Sequence, residues 1–124
     1  MSLELLATKI KRHKHGKSPL TKKEEASIIA EFIQRACMFS GLSYEQLRNN
    51  RMRDPHTVIT RKALVHVLVA NNHSFETIAN SIGTAREMVH HSNEDAQKLY
   101  AVSPQFRDIC HAYAGYAESV ALIS

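Results

Sequence analysis

The chain has no tryptophan, and only four glycines and three prolines in 124 residues. So few chain breakers argue against a turn-rich β fold and favour long helices. No run approaches the roughly 18–20 uninterrupted apolar residues that span a bilayer, and no apolar stretch near the start resembles a secretory signal. A cytoplasmic location with no membrane partner is therefore expected. The two cysteines, Cys37 and Cys110, lack a CxxC spacing. Each falls in an apolar helical pattern and reads as a reduced core residue rather than a disulfide or a catalytic thiol. No HExxH motif, paired-cysteine metal spacing or GxxxxGK(S/T) loop occurs, so zinc hydrolysis and nucleotide-driven work are not expected. Nothing in the order of residues assembles a nucleophile, a base and an orienting group. The expectation is a non-enzyme that needs no cofactor and no metal.

What is present describes an ordinary globular protein with a basic bias. Apolar residues make up 44% and charged residues 23%, enough for one modest core and too balanced for wholesale disorder. The net charge is +4 and the isoelectric point about 9.2, which suits a polyanionic partner. Two runs concentrate the cations. Residues 9–23 hold Lys9, Lys11, Arg12, Lys14, Lys17, Lys22 and Lys23 with no acid, and residues 48–62 hold Arg48, Arg51, Arg53, Arg61 and Lys62 against Asp54 alone. Either run can be plain solvated surface; the second lies beside the segment that carries the functional argument.

Helical periodicity divides the chain into a basic N-terminal part, residues 1–23, and a helical domain, residues 24–124. Leu3, Leu5, Leu6 and Ile10 suggest a short first helix stopped near Gly16, followed by a basic joint. Thr21 and Glu24 have capping-box spacing and open a helix over about 22–40, with Ile28, Ile29, Phe32, Ile33, Ala36 and Cys37 on one face. Ser43 and Gln46 repeat the box and start a short helix to about residue 48. Asp54-Pro55 caps the next helix, whose stripe Val58, Ile59, Ala63, Leu64, Val67 and Leu68 runs to about residue 70. Ser103-Pro104 opens a last helix of about 19 residues carrying Phe106, Ile109, Cys110, Tyr113, Ala117 and Val120. The fold class predicted is an all-α bundle.

Residues 74–92 carry the functional signal. Ser74 caps a two-turn helix with Ile78, Ala79 and Ile82; Gly83 follows; Thr84 and Glu87 again have capping-box spacing and open a second helix to about residue 100. A helix-turn-helix needs a small residue where its rods cross, a glycine able to take the positive φ of the corner, and a branched apolar residue locking the second rod. Ala79, Gly83 and Val89 supply these at the right intervals. The outward positions of the second helix are then Ala85, Arg86, Glu87, His90, His91 and Glu94. Arg86 suits guanine O6 and N7, Ala85 a thymine methyl, and the histidines base edges or phosphates. Thr84 and the free N–H groups beside it suit a phosphate. Glu87 is either the cap partner of Thr84 or a reader of cytosine. Residues 76–95 carry four acids against Arg86 alone, formally −3, so phosphate affinity must come from the run at 48–62.

These residues resemble, over about 25–99, the C-terminal DNA-binding domain of the bacterial replication initiator DnaA. The stretch from Phe39-Ser40-Gly41 through Leu47 is similar to that family's "fgis-x-x-dL" helix, and Arg51-Met52-Arg53 to its basic loop. Arg61-Lys62-Ala63-Leu64 resembles its "aRqiAmyL" helix, and Val89-His90-His91-Ser92 its "VlhA". The resemblance implies sequence-specific binding of duplex DNA, related to origin binding in replication initiation, with the loop at Arg51 and Arg53 in the minor groove and residues 84–87 reading the major groove. The family's Arg-Asp-His-Thr-Thr stands here as Thr84-Ala85-Arg86-Glu87-Met88, and the ATPase signature is missing.

Two alternatives stay open. The scaffold can be a protein-interaction module or a transcriptional regulator, and Tyr113, Tyr116, Val120, Leu122 and Ile123 on the last helix can pack internally or form a homodimer or partner seam. Eight histidines invite a metal site. However, His90 and His91 point about 100° apart on a helix, His13 and His15 lie in the basic run, and His66 and His111 read as satisfied core-boundary residues.

Overall fold

The computed structural model describes residues 21–115. Within them lie six helices and no strand: α1 Lys22–Ser40, α2 Tyr44–Arg48, α3 Pro55–Ala70, α4 Phe75–Ile82, α5 Arg86–Val102 and α6 Pro104–Ala114. The predicted N-terminal helix around Leu3 to Ile10, most of the basic joint, and Tyr116, Ala117, Val120, Leu122 and Ile123 lie outside the described residues.

Local chemistry explains most helix starts. Thr21 and Glu24 form a reciprocal box at α1, and Ser43 and Gln46 do the same at α2. The Asp54 carboxylate accepts from the Thr57 N–H at 3.0 Å and from its hydroxyl. Those bonds, the hydroxyl's first, hold the Asp54 carboxyl below its ordinary value. Ser74 and Ser103 cap α4 and α6. Each cap satisfies an N–H that the helix itself cannot. The last helix is shorter than its periodicity predicts: α6 closes at Ala114, with Gly115 at φ 89° as its left-handed stop.

Helix α3 is the hub, packed against all five others. It buries Thr57, Thr60, Ala63, Leu64, Val65, Val67 and Leu68. A helix apolar on nearly every side belongs in the middle of a bundle. The buried stripe differs from the predicted one at its start, where Val58 and Ile59 are only half-buried and the two threonines are fully buried. Their hydroxyls are satisfied locally, Thr57 by Asp54 and Thr60 by the His56 carbonyl at 2.7 Å, so burying them costs little. Around this hub close Ile29, Phe32, Ile33 and Ala36 of α1, Leu47 of α2, Ile78, Ala79 and Ile82 of α4, and Phe106, Cys110 and Tyr113 of α6.

Tyr113 is therefore a core residue and not part of an exposed seam. Both cysteines are free, Cys110 buried and Cys37 half-buried. Burial raises both thiols, Cys110 to about 12. His66 stacks on Tyr100 at 4.6 Å between ring centres. Its Nδ1 is buried with no hydrogen-bond partner, so it is not the satisfied boundary residue predicted, and burial lowers its pKa. His111 does meet a partner, the Tyr100 hydroxyl at 3.0 Å. None of the helices among the described residues is long and apolar enough to cross a membrane.

Candidate nucleic-acid interface

Helices α4 and α5 meet at a sharp corner on the outside of the hub. Gly83 adopts φ 66° and ψ 39°, and its N–H and that of Thr84 both return to the Ala79 carbonyl. A side chain there would strain the backbone, because L-residues rarely hold that φ. Ala79 is 4% exposed and Val89 fully buried, as a close crossing of two rods locked by a branched residue requires.

The start of α5 departs from the sequence reading. Its N-cap is Ala85, with no side-chain cap bond. Thr84 closes the turn on Ala79 and so lies one residue too early for its hydroxyl to cap. The Thr84–Glu87 box does not form. The first N–H groups of α5 are then left without a side-chain acceptor, and Glu87 stands exposed.

The basic run folds onto this corner. The Tyr44 hydroxyl donates to the Ser81 carbonyl, and the Asn50 amide to that of Gly83 at 3.3 Å. The Arg48 guanidinium lies over the Tyr44 ring at 5.2 Å, against Gly83. Beneath the loop, Arg61 donates to the carbonyls of Leu47 at 2.7 Å, Met52 at 2.8 Å, Gln46 at 3.2 Å and Asn49. Burial lowers the Arg61 pKa, opposed by Asp54. This arginine, read from sequence as a phosphate contact, is a clamp that gives four of its five N–H donors to the backbone of residues 46–52. Arg51 and Arg53 are exposed above it.

Between loop and helix runs an open cleft of about 450 Å³, lined by Arg53, Lys62, Thr84, Ala85, Met88 and His91 over Val58, Ile82 and Val89. Lys62 pairs with Asp95 at 3.6 Å, which offsets part of its charge. His90 lies on the other flank of α5, its ring 4.7 Å from that of Phe75 and its Nδ1 3.8 Å from Glu94. The two neighbouring histidines thus serve different surroundings. Arg86, Glu87, His90, His91 and Glu94 are all exposed. Of the residues singled out in the sequence, Arg53, Arg61, Lys62, Thr84, Ala85 and His91 line the cleft, Arg48 lies against Gly83 and Arg51 is exposed on the loop. Arg86, Glu87 and His90 stand on the exposed side of α5, and Arg61, half-buried in the cleft wall, gives its hydrogen bonds to the loop backbone.

Sequence reasoning missed Tyr44 and Asn50, which hold the loop to the corner. Their partners are 37 and 33 residues away, and no local pattern marks such pairings. Met88 was also missed, although it is 53% exposed, and a large apolar residue outside the buried stripe is a signal that could have found it.

No protein-family model matches the chain, and comparison with curated proteins and with solved structures finds no match to either.

Proposed function

We propose that this protein binds double-stranded DNA sequence-specifically, with α5 in the major groove and residues 49–53 in the adjacent minor groove. One observation carries the reading: the arginine-bearing loop is bonded directly to the corner from which α5 projects. A duplex presents its two grooves on either side of one sugar-phosphate strand. With loop and helix in neighbouring grooves, that strand runs over the cleft between them. There Arg53, Lys62, His91 and the uncapped end of α5 face it, and a helix N-terminus attracts anions. The resemblance to DnaA C-terminal domains supports the same placement and points to an origin-binding type of recognition, without a nucleotide-driven step.

Cations beside α5 are needed because its own exposed face is acidic. Their phosphate contacts would supply most of the nonspecific affinity and its salt dependence. The test is a mobility shift on random duplex DNA at low and moderate salt. Binding that weakens steeply with salt is expected; no binding at low salt overturns the reading. That second outcome would favour a protein-interaction module, for which the exposed Met38 and Phe39 at the end of α1 (63% and 49%) offer an apolar surface.

A further inference from the structure

We infer that Glu87 is the specificity-determining residue of α5, accepting from the N4 amino group of a cytosine in the major groove. The inference rests on the DNA-binding reading and goes beyond it by naming a base and the residue that selects it.

The phase of the helix decides which side chains of α5 face outward. Val89, Asn93 and Ala96 are its buried residues and define the inward line. At about 100° per residue, Glu87 and His91 each lie roughly 160° from Val89, on either side of the outward meridian. Arg86 and His90 fall about 60° and 100° to one side, the side on which His90 meets Phe75. Met88 and Asp95 fall about 100° and 120° to the other, where they line the cleft with Arg53. The middle of the exposed face is therefore Glu87 and His91, and Arg86 is a flank residue. Glu87 also stands in the first turn of α5, the part of such a helix that reaches base edges.

Its chemistry follows from what it lacks. The capping bond to Thr84 is not made, and no ion pair or hydrogen bond of the described residues involves its carboxylate. A carboxylate only accepts. Guanine O6 and N7 and thymine O4 also only accept, so against them Glu87 would meet repulsion; adenine N6 donates but stands beside the accepting N7 of the same base, whereas cytosine offers the N4 donor with no acceptor beside it on that base. Discrimination then comes as much from penalising wrong bases as from rewarding the right one. A charge held this close to phosphates also lowers affinity for every other sequence.

The test is selection of bound duplexes from a random pool by the wild-type chain, Glu87→Ala and Glu87→Gln, with affinities measured on the selected site and on a scrambled duplex. The wild type is expected to require cytosine at one position. Glu87→Ala is expected to flatten that position and to bind the scrambled duplex tighter, narrowing discrimination by about tenfold. Glu87→Gln, whose amide both donates and accepts, is expected to move the preference there toward adenine. If Glu87 served only the helix dipole, Glu87→Ala would lower thermal stability and leave the base profile unchanged, and that result overturns the inference alone. Failure of the wild type to bind any duplex at low salt overturns the DNA reading and this inference with it.

Discussion

Helices α3 and α5 are nearly the same length, 16 and 17 residues, and are used in opposite ways. The first buries seven residues and touches every other helix; the second buries three, half-buries Ser92, Leu99 and Tyr100, and leaves its other residues exposed. What differs is the assignment of side chains. In α3 even the threonines are packed and internally bonded, whereas α5 turns three acids, two histidines and a methionine toward solvent. The contrast separates a helix that specifies the fold from one that the fold displays.

The sharpest way to break that contrast is to cut into each helix. Leu64→Ala, at a fully buried site in α3, is expected to cost about 2–5 kcal/mol, from lost transfer energy plus the cavity left behind. His91→Ala on α5 should stay within about 0.5 kcal/mol. Denaturant titration of both variants checks this; equal losses would remove the distinction.

The same contrast recurs among arginines. Arg61→Ala removes the donors that meet four backbone carbonyls and is expected to cost about 1–3 kcal/mol, because charge-assisted bonds to partly buried carbonyls are among the stronger ones. Arg61→Lys should recover little of it, since an ammonium cannot reach in a planar fork. Thermal melts of the two variants decide it. Full rescue by lysine would mean that charge, and not the fork, holds the loop.

These cases explain what was legible in the sequence. The caps at Thr21, Ser43, Asp54, Ser74 and Ser103 could be read because a cap and its N–H partner lie within three residues. The Ala79, Gly83 and Val89 pattern was legible because its three positions fall within one short stretch of eleven residues. Thr84 failed because turn closure on Ala79 shifted the cap register by one residue, a competition that spacing alone does not show. Arg61 looked like any surface cation because its nearest partner is nine residues away. His73, buried against Glu25 from 48 residues off, gave no sign at all. Local bonds are written in neighbouring letters; long-range ones depend on how helices pack.

Smaller effects sharpen the boundary between hub and display. Gly83→Ala places an ordinary residue at a left-handed φ and is expected to cost about 1–2 kcal/mol. The clash with the Arg48 Nε at 2.9 Å adds little, because that side chain can swing. Gly83→Asn should cost less than Gly83→Ala, as asparagine tolerates that region; the reverse order in thermal melts would point to the clash as the dominant cost.

A pH dependence tests the hub side. Burial lowers the His66 pKa, so the unfolded chain takes up that proton before the folded one does. The stability tied to His66 is complete above about pH 6.5 and is lost as pH falls through the folded value. His66→Phe would keep a ring against Tyr100 and remove the partnerless Nδ1, and is expected to flatten the acid side of the stability profile. An unaltered acid slope would sink this account.

The smallest expected effect on stability separates Arg51 and Arg53 from Arg61 most cleanly. Both stand exposed on a loop whose shape is set by Arg61, Asn50 and Tyr44, so Arg51→Ala with Arg53→Ala should leave stability in denaturant unchanged within about 0.5 kcal/mol. If the two arginines touch phosphates, the double variant weakens binding to every duplex. The slope of log affinity against log salt then becomes shallower by about 0.9 for each phosphate no longer neutralised. If instead they read bases in the minor groove, affinity falls on the preferred sequence while random duplexes are bound as before. Loss of folding stability would place them with Arg61, as packing residues, and erase the difference between the clamp and the loop it holds.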